Sequence, residues 1–431
     1  MKTDFDLIVI GGGMVGACAA ALAAETREFA DMRIALLEAQ PPTRPPPDND
    51  VDLRVSAVSR ASQRILEAVG AWPKIDTRHL SAYTEMVVWD AAARPRSAGI
   101  ESLHATPEAA ASAGRGSIHF SAGETSEPDL GHIVENRRLQ WALYETAALR
   151  KRVTVLRAEL AGMVLDDERA TLIFADGRKL TAALIVGADG AASSSRKLAG
   201  IETRGWDYEQ RAFVTHVGTE HPHARTAWQR FLPAGPIAFL PLADGRSSIV
   251  WTTTPEHAQR LVECTPEQLS AELRSALDGV LGDIRVGGPR AQFPLRLTHA
   301  RNYCKSRFVL VGDAAHAVHP LAGQGVNLGF LDCAALVETL ADELAAGGDR
   351  ESMAEMRVLR RYERWRKSEN AIALGLIDGI NRLFSNSHLT LRWARQIGLA
   401  AVDRSRVAKR FFMSRAMGTA GEVPRVVTLL R

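Results

Sequence analysis

The chain is 431 residues long, enough for two or more domains, and its 46% hydrophobic and 24% charged content is that of an ordinary soluble globular protein. A net charge of +3 is too small to point to nucleic acid, and none is expected as a partner. Cys18, Cys264, Cys304 and Cys333 show neither a C-x-x-C nor a metal-ligand spacing. They read as reduced cytosolic thiols, two of them in the core, and no metal site is expected.

Phe5 to Ile10 is a short apolar run bounded by glycine, as in a buried parallel strand. Met14 to Ala24 reads as an Ala-rich helix that packs close to a sheet. Leu7 to Ala24 is apolar enough to resemble a signal or membrane segment. However, Asp4 and Asp6 stand where a signal peptide carries positive charge, and three glycines interrupt the run. Neither a secretion signal nor a transmembrane span is expected, which points to the cytoplasm. Arg33 to Leu37 reads as a second strand and the Pro-rich stretch 41 to 50 as a loop. Ser56 or Ser59 can cap an amphipathic helix with Ile65, Leu66 and Val69 inward and Gly70 just past its end.

Residues 76 to 132 are less regular, with an apolar strand from Met86 to Trp89. Glu135 to Leu149 reads as a helix, Val153 to Val186 as a β-meander, and 211 to 254 as an antiparallel sheet. After Gly323 the chain reads as helical to about residue 417. Parallel-sheet material lies at the start, near 184 to 190 and near 308 to 312, with antiparallel material between. This order predicts an α/β fold with a Rossmann-like nucleotide-binding domain built from discontinuous segments, an inserted antiparallel-sheet substrate domain and a C-terminal helical region. The expected division is 1–75, 133–200 and 295–365 for the nucleotide, 76–132 and 201–294 for the substrate, and 366–431 for the helical region.

Three motifs carry chemistry. Gly11-Gly12-Gly13-Met14-Val15-Gly16 fits G-x-G-x-x-G between a strand and a helix, and Glu38 ends the second strand. The glycines permit close approach of a pyrophosphate to a helix N-terminus, and the acid accepts from a ribose 2′-OH. NAD and FAD fit alike, while Glu38 disfavours a 2′-phosphate. Gly187-Ala188-Asp189-Gly190 ends the strand Ala183 to Val186; taken singly, it is a turn.

The most informative stretch is Val311 to Asp332. It ends the strand Phe308 to Val311 on Gly312-Asp313, runs through a loop holding His316, His319 and Pro320, and opens a helix on Gly323-Gln324-Gly325. A carboxylate at a strand end can take a polyol hydroxyl, and a Gly-rich helix start presents bare N–H groups and a positive dipole end. Together they suit a long, polar and planar ligand such as a flavin dinucleotide. Asp313, His316 and His319 also read as D-x-x-H-x-x-H, but nothing nearby completes a metal site.

In this order and spacing, GGGMVG with Glu38, GADG and GDAAHAVHPLAGQGVNLG resemble the class A flavoprotein monooxygenases related to para-hydroxybenzoate hydroxylase. Asp52-Leu53-Arg54-Val55-Ser56-Ala57, Val134-Glu135-Asn136 and Tyr362-Glu363-Arg364-Trp365-Arg366 narrow the resemblance to the ubiquinone-biosynthesis hydroxylase family, over nearly the whole chain. Ala227 to Phe231 and Gly235 to Leu242 are most similar to the branch acting on the demethoxy-ubiquinone ring. One departure is Ala191-Ala192-Ser193, where the family more usually has Ala-Asn/His-Ser.

The resemblance implies FAD as cofactor, NAD(P)H or a protein donor as reductant, and O2 as co-substrate. It implies hydroxylation of a polyprenyl phenol or benzoquinol through a flavin C4a-hydroperoxide. By position it implies Gly11, Gly13 and Gly16 at the ADP pyrophosphate, Glu38 at the ribose, and Arg54 against the cofactor near the isoalloxazine end. Asp189 falls near the pyrophosphate and Asp313 on the ribityl hydroxyls. Gly323, Gln324, Gly325, Val326 and Asn327 pass along the pyrimidine edge, where a helix start stabilises negative charge at N1–C2=O. Pro320 and Leu321 wall the active site. His316 is the candidate for chemistry there, against a packing role for both histidines, and no catalytic base is identified.

Residues 388 to 417 hold Arg392, Arg395, Arg404, Arg406, Lys409, Arg410 and Arg415 against Asp403, interleaved with apolar side chains such as Leu389, Trp393, Phe411 and Phe412. Such a tail suits peripheral contact with anionic lipid or with subunits of a ubiquinone-biosynthesis complex; the competing reading is a solvated helix on the flavin domain. Other readings of the chain are the same chemistry on another aromatic substrate, a flavin halogenase or prenyl-chain reductase, or a non-catalytic FAD-binding scaffold. None of the eight tryptophans forms the W-x-W-x-I-P of a halogenase. The oligomeric state is not legible.

Overall fold

The computed structural model describes residues 3–47, 50–91, 93, 116–317, 325–384, 398 and 401–428. In the first sheet Cys304–Lys305, Phe308–Leu310, Lys179–Gly187, Phe5–Ile10, Ile34–Leu37 and Val153–Leu156 lie side by side in that order. The inner pairings are parallel, with Ile8 opposite both Ile185 and Ala35. Parallel strands covered on both faces explain why FDLIVI and IALL are unbroken apolar runs. Helix Met14–Glu25 packs against helices Asn136–Ala148 and Gly325–Ala345. It is buried from Gly16 to Ala24, and its alanines let the layers close up.

Val153 to Val186 differs from a simple meander. Val153–Leu156 joins the parallel sheet beside Ile34–Leu37. Only Leu160–Leu165, Ala170–Phe174 and Lys179–Gly187 form the meander, and the last of these is a central strand of the sheet. Apolar alternation does not tell a hairpin strand from a parallel edge strand.

The second sheet runs His316–Ala317, Ile284–Ala300, Thr203–Thr219, Ser247–Thr253, Gly235–Pro241, Thr226–Leu232, Glu85–Asp90 and Ser117–Ser121. It is antiparallel except between Thr226–Leu232 and Glu85–Asp90. Helices Pro255–Glu263 and Pro266–Ala276 cover one face over Phe213, Val217, Phe239, Ile249 and Trp251. The other face meets a third sheet, Val55–Ser59, Gly131–Glu135 and Leu80–Tyr83, through Ala57, Ile133, Ala227, Leu240 and Leu242.

The stretch expected to be a loop with two histidines holds regular structure at its start. After the turn Gly312–Ala314, His316–Ala317 pairs with Thr298 and His299 of the second sheet. One short segment thus leaves the first sheet at Leu310 and enters the second at His316, which ties the two together. A two-residue strand leaves no periodicity for sequence reading to find.

Ser59, not Ser56, caps helix Arg60–Ala68, accepting from the Ser62 N–H, and Gly70 has φ +77° just beyond its end. All four cysteines are free, and three rather than two (Cys18, Cys304, Cys333) are buried. Among the described residues no helix is long and apolar enough to cross a membrane.

Candidate active site

The first turn of the fold is shaped for a phosphate. Gly11 has φ +105°, and a Cβ there would lie 2.6 Å from the Ala188 carbonyl oxygen. A Cβ on Gly16 would lie 1.9 Å from the Gly11 carbonyl oxygen, so no other residue fits. A Cβ on Gly13 would meet nothing within 4 Å. Open ground therefore stands at the N-terminus of Met14–Glu25, whose first turn carries no acidic residue. Glu38 is fixed beside it, accepting from the Gly12 N–H at 2.6 Å and the Gln40 N–H at 2.8 Å. A carboxylate has further lone pairs for a ribose diol.

Asp189 abuts this turn, its Cα 2.9 Å from the Cβ position of Gly11. Its carboxylate accepts from the Ser193 and Ser195 hydroxyls at 2.5 and 2.7 Å and from the Ser195 N–H at 2.8 Å. That local use, which the Asp-Gly pattern does not reveal, fixes the loop. Arg196 donates to the Ala314 carbonyl at 2.7 Å, joining this loop to the turn at Asp313.

At the other end, Asp313 and Arg54 are both open to solvent. Protein nonetheless crowds Asp313 so that burial pushes its carboxyl above the ordinary range, with His316 and Arg54 pulling the other way. Open area and close crowding together describe the floor of a cleft. The Arg54 guanidinium lies 5.7 Å from the Phe293 ring centroid, so the arginine bridges to the second sheet. Its backbone is held by the Asn136 N–H, and the buried Glu135 gathers the Asp52 N–H, Arg137 and Arg138. Burial alone would raise the Glu135 carboxyl; the Asp52 N–H and the two arginines overcome it and hold it below the usual range.

Helix Gly325–Ala345 packs on the Gly312–Ala314 turn. Val15, from the phosphate turn, fills the space where a Cβ on Gly312 or Gly329 would come within 2.9 or 2.6 Å of it. The buried Asn327 accepts from the Ser59 N–H at 2.9 Å and donates to the Ala57 carbonyl at 2.8 Å. These bonds direct its side chain into strand Val55–Ser59, so its share in a cofactor site is its backbone. His319, Pro320, Leu321, Gly323 and Gln324 lie outside the described residues.

Behind the turn is a polar network that sequence reading missed. Asp332 accepts from the Gly312 N–H at 3.0 Å, Arg366 Nε at 2.8 Å and Asn370 Nδ2 at 3.1 Å, and lies 2.5 Å from His316 Nε2. Neither His316 nor Asp332 has exposed side-chain area. Burial by itself would raise the Asp332 carboxyl, but His316 and Arg366 hold it well below the carboxylate range. Asn370 also reaches Tyr303, whose hydroxyl lies 2.8 Å from His299 Nε2. The available signal was Arg366 and Asn370 four apart, sharing one helix face.

FAD fits what these residues offer. An open glycine at a helix N-terminus suits a pyrophosphate, an anchored acid a ribose, and a second helix start with no acid in its first turn an electron-rich ring edge.

A family model described as FAD binding domain matches residues 4–368. The chain is 34% identical over 414 residues to 3-demethoxyubiquinol 3-hydroxylase of Escherichia coli, covering 96% of this chain and 98% of that protein. It is 34% identical over 446 residues to the mitochondrial ubiquinone biosynthesis monooxygenase COQ6 of Homo sapiens, covering 93% and 90%. Among solved structures, p-nitrophenol 4-monooxygenase PnpA of Pseudomonas putida DLL-E4 superposes with a TM-score of 0.72 at 18% identity, covering 98% of this chain and 100% of that one. The Diels-Alderase PyrE3 superposes at 0.70 and 19% identity, covering 96% and 80%. The fold is shared with both, and their named activities differ, so chemistry must be argued from the site.

Proposed function

This chain belongs to the family of FAD-dependent ubiquinone-biosynthesis hydroxylases, which are monooxygenases, and on that footing we propose that its substrate is a polyprenyl phenol or benzoquinol, most like the demethoxy-ubiquinol ring. Bound FAD supplies the activation of O2 that delivers one oxygen atom to an electron-rich ring. The overall change takes the ring C–H to C–OH, reduces the second oxygen atom to water, and consumes two electrons from NAD(P)H or a protein donor.

What supports this reading is the contact of three distant segments, since Gly11 abuts Ala188 and Asp189, Val15 abuts Gly312 and Gly329, and Arg196 donates to the Ala314 carbonyl. Gly11, Gly13 and Gly16 would hold the pyrophosphate and Glu38 the ribose, with Asp189 bracing the same turn. Asp313 would take ribityl hydroxyls and Arg54 would lie along the cofactor beside Phe293. The N–H groups of Gly325, Val326 and Asn327, continuing from Gly323 and Gln324, would face the flavin edge. Pro320 and Leu321 would help exclude water. His316, fully buried against Asp332, would orient that loop and not meet the ring. In this scheme residues 1–75, 133–200 and 295–365 serve the cofactor and 76–132 with 201–294 the ring.

The C-terminal helix Arg406–Ala416 supports peripheral contact with anionic lipid. Val407 is 81% and Phe411 46% exposed, and Arg406 and Arg410 flank them. The basic face is narrower than the sequence indicates, because Lys409 pairs with Glu124 and Arg415 with Glu369. Arg392, Arg395, Leu389 and Trp393 lie outside the described residues.

Complementation of strains each lacking one ubiquinone ring hydroxylase, with quinone intermediates read by mass spectrometry, tests the function. Rescue of the strain blocked at the demethoxy ring is expected. Rescue of none, with flavin bound, favours the scaffold reading.

A further inference from the structure

Three polar atoms on the inner face of the second sheet have no partner among the described residues: Nδ1 and Nε2 of His216 and Oγ of Ser248. His216 is 1% exposed and Ser248 0%. They stand opposite each other across the ladder joining Thr203–Thr219 to Ser247–Thr253, and directly opposed residues share a face. On the other side Ser248 faces Leu240, one of the apolar residues that meet the third sheet. Buried polar atoms are costly to leave unpaired, so this adjoining pair needs an explanation.

The strand period of two fixes the rest of this face. Val214 stands opposite Val250, and Val250 opposite Ala238, making an apolar row next to the polar pair. One row further on, Ala212 stands opposite Phe293, whose ring carries Arg54. From Ala212 to His216 the strand advances about 13 Å at roughly 3.3 Å per residue. Val250 and Ala238 are partly exposed, so the row is open where the pair is closed. A ring lying on that row has the cofactor end at one edge and His216 with Ser248 at the other.

Burial pushes the His216 imidazole below its ordinary value and Arg246 adds to this, with Asp244, Asp50 and Glu135 opposing. A neutral imidazole offers one donor and one acceptor, and a serine hydroxyl offers both. Such a pair can donate to and accept from a neutral oxygen.

Resting on the ring-hydroxylase reading above, we propose that His216 and Ser248 recognise a hydroxyl or methoxy oxygen of the ring substrate, and so select which ring carbon meets the cofactor. The FAD-loaded full chain is titrated with a short-tailed methoxyphenol and with the matching alkylbenzene lacking ring oxygens, following the flavin spectrum. His216→Leu is expected to weaken methoxyphenol binding about tenfold and leave alkylbenzene binding and FAD affinity unchanged. Ser248→Ala should behave alike and serves if His216→Leu fails to fold. His216→Asn, which keeps a donor and an acceptor, should recover part of the loss. Unchanged methoxyphenol binding, or equal weakening of both probes, overturns the assignment. A wild-type protein that binds FAD but neither probe overturns the hydroxylase reading as well.

Discussion

Asp332 shows how much one buried charge can carry. It joins the Gly312 turn, His316 and Arg366, so removing it strands an arginine in the interior. Asp332→Asn should destabilise the protein by about 3–5 kcal/mol at neutral pH, read by denaturant unfolding. The sign of its pH dependence follows from a folded carboxyl held below the unfolded one. The contribution is complete above about pH 4, where the unfolded carboxylate is ionised, and is lost as pH falls towards the folded value. The gap between wild type and variant should therefore narrow on acidification. His299 adds a second signature, since burial, with His316 next, pushes its imidazole down to about 4. An unfolded histidine takes a proton below about pH 6.5 that folded His299 refuses, so stability falls between these two values. His299→Gln should flatten that part of the pH–stability profile. On the proposed reading, Glu38→Ala removes the acid beside Gly12 that would take the ribose. FAD affinity should drop about 10–100-fold by fluorescence titration, the range for a hydrogen bond to a charged group.

At the scale of elements, helix Gly325–Ala345 organises the site, because it touches the phosphate turn through Gly329, the Gly312 turn through Asp332 and strand Val55–Ser59 through Asn327. Asn327→Ala leaves the Ser59 N–H and the Ala57 carbonyl unpaired, at about 1–3 kcal/mol each. Thermal unfolding should shift down, and FAD affinity should fall without any flavin contact being removed. What sequence reading captured here is the helix from Gly325 onward, since its small and apolar residues leave a pattern. The direction of the Asn327 side chain and the partners of Asp332 escaped it, because both are settled by residues hundreds of positions away. The two-residue strand His316–Ala317 escaped for the opposite reason, being too short to have a period. The GADG motif reads as lying near the pyrophosphate, and the pattern does not disclose that Asp189 also accepts from the serines that follow it.

At the scale of the whole molecule, the Gly312 turn and strand His316–Ala317 tie the parallel sheet to the second sheet, and a mixture of parallel and antiparallel material is legible in the order of segments along the chain. The exposed face of Arg406–Ala416 belongs to this scale as well. Replacing Val407 and Phe411 by serine should lower co-sedimentation with anionic vesicles while leaving neutral vesicles unaffected. Deleting the whole tail would confuse the result, because Met417 and Val427 are buried and bonded to helix Arg60–Ala68. The central claim is that a cofactor cleft built from three segments delivers oxygen to a polyprenyl phenol. The most direct measurement gives FAD-loaded protein a reductant, isotopically labelled O2 and a short-tailed methoxyphenol, and examines the ring by mass spectrometry. The account predicts one labelled oxygen atom per product ring. Bound FAD that is reduced and reoxidised, with all the label in hydrogen peroxide and the ring returned unchanged, would contradict it.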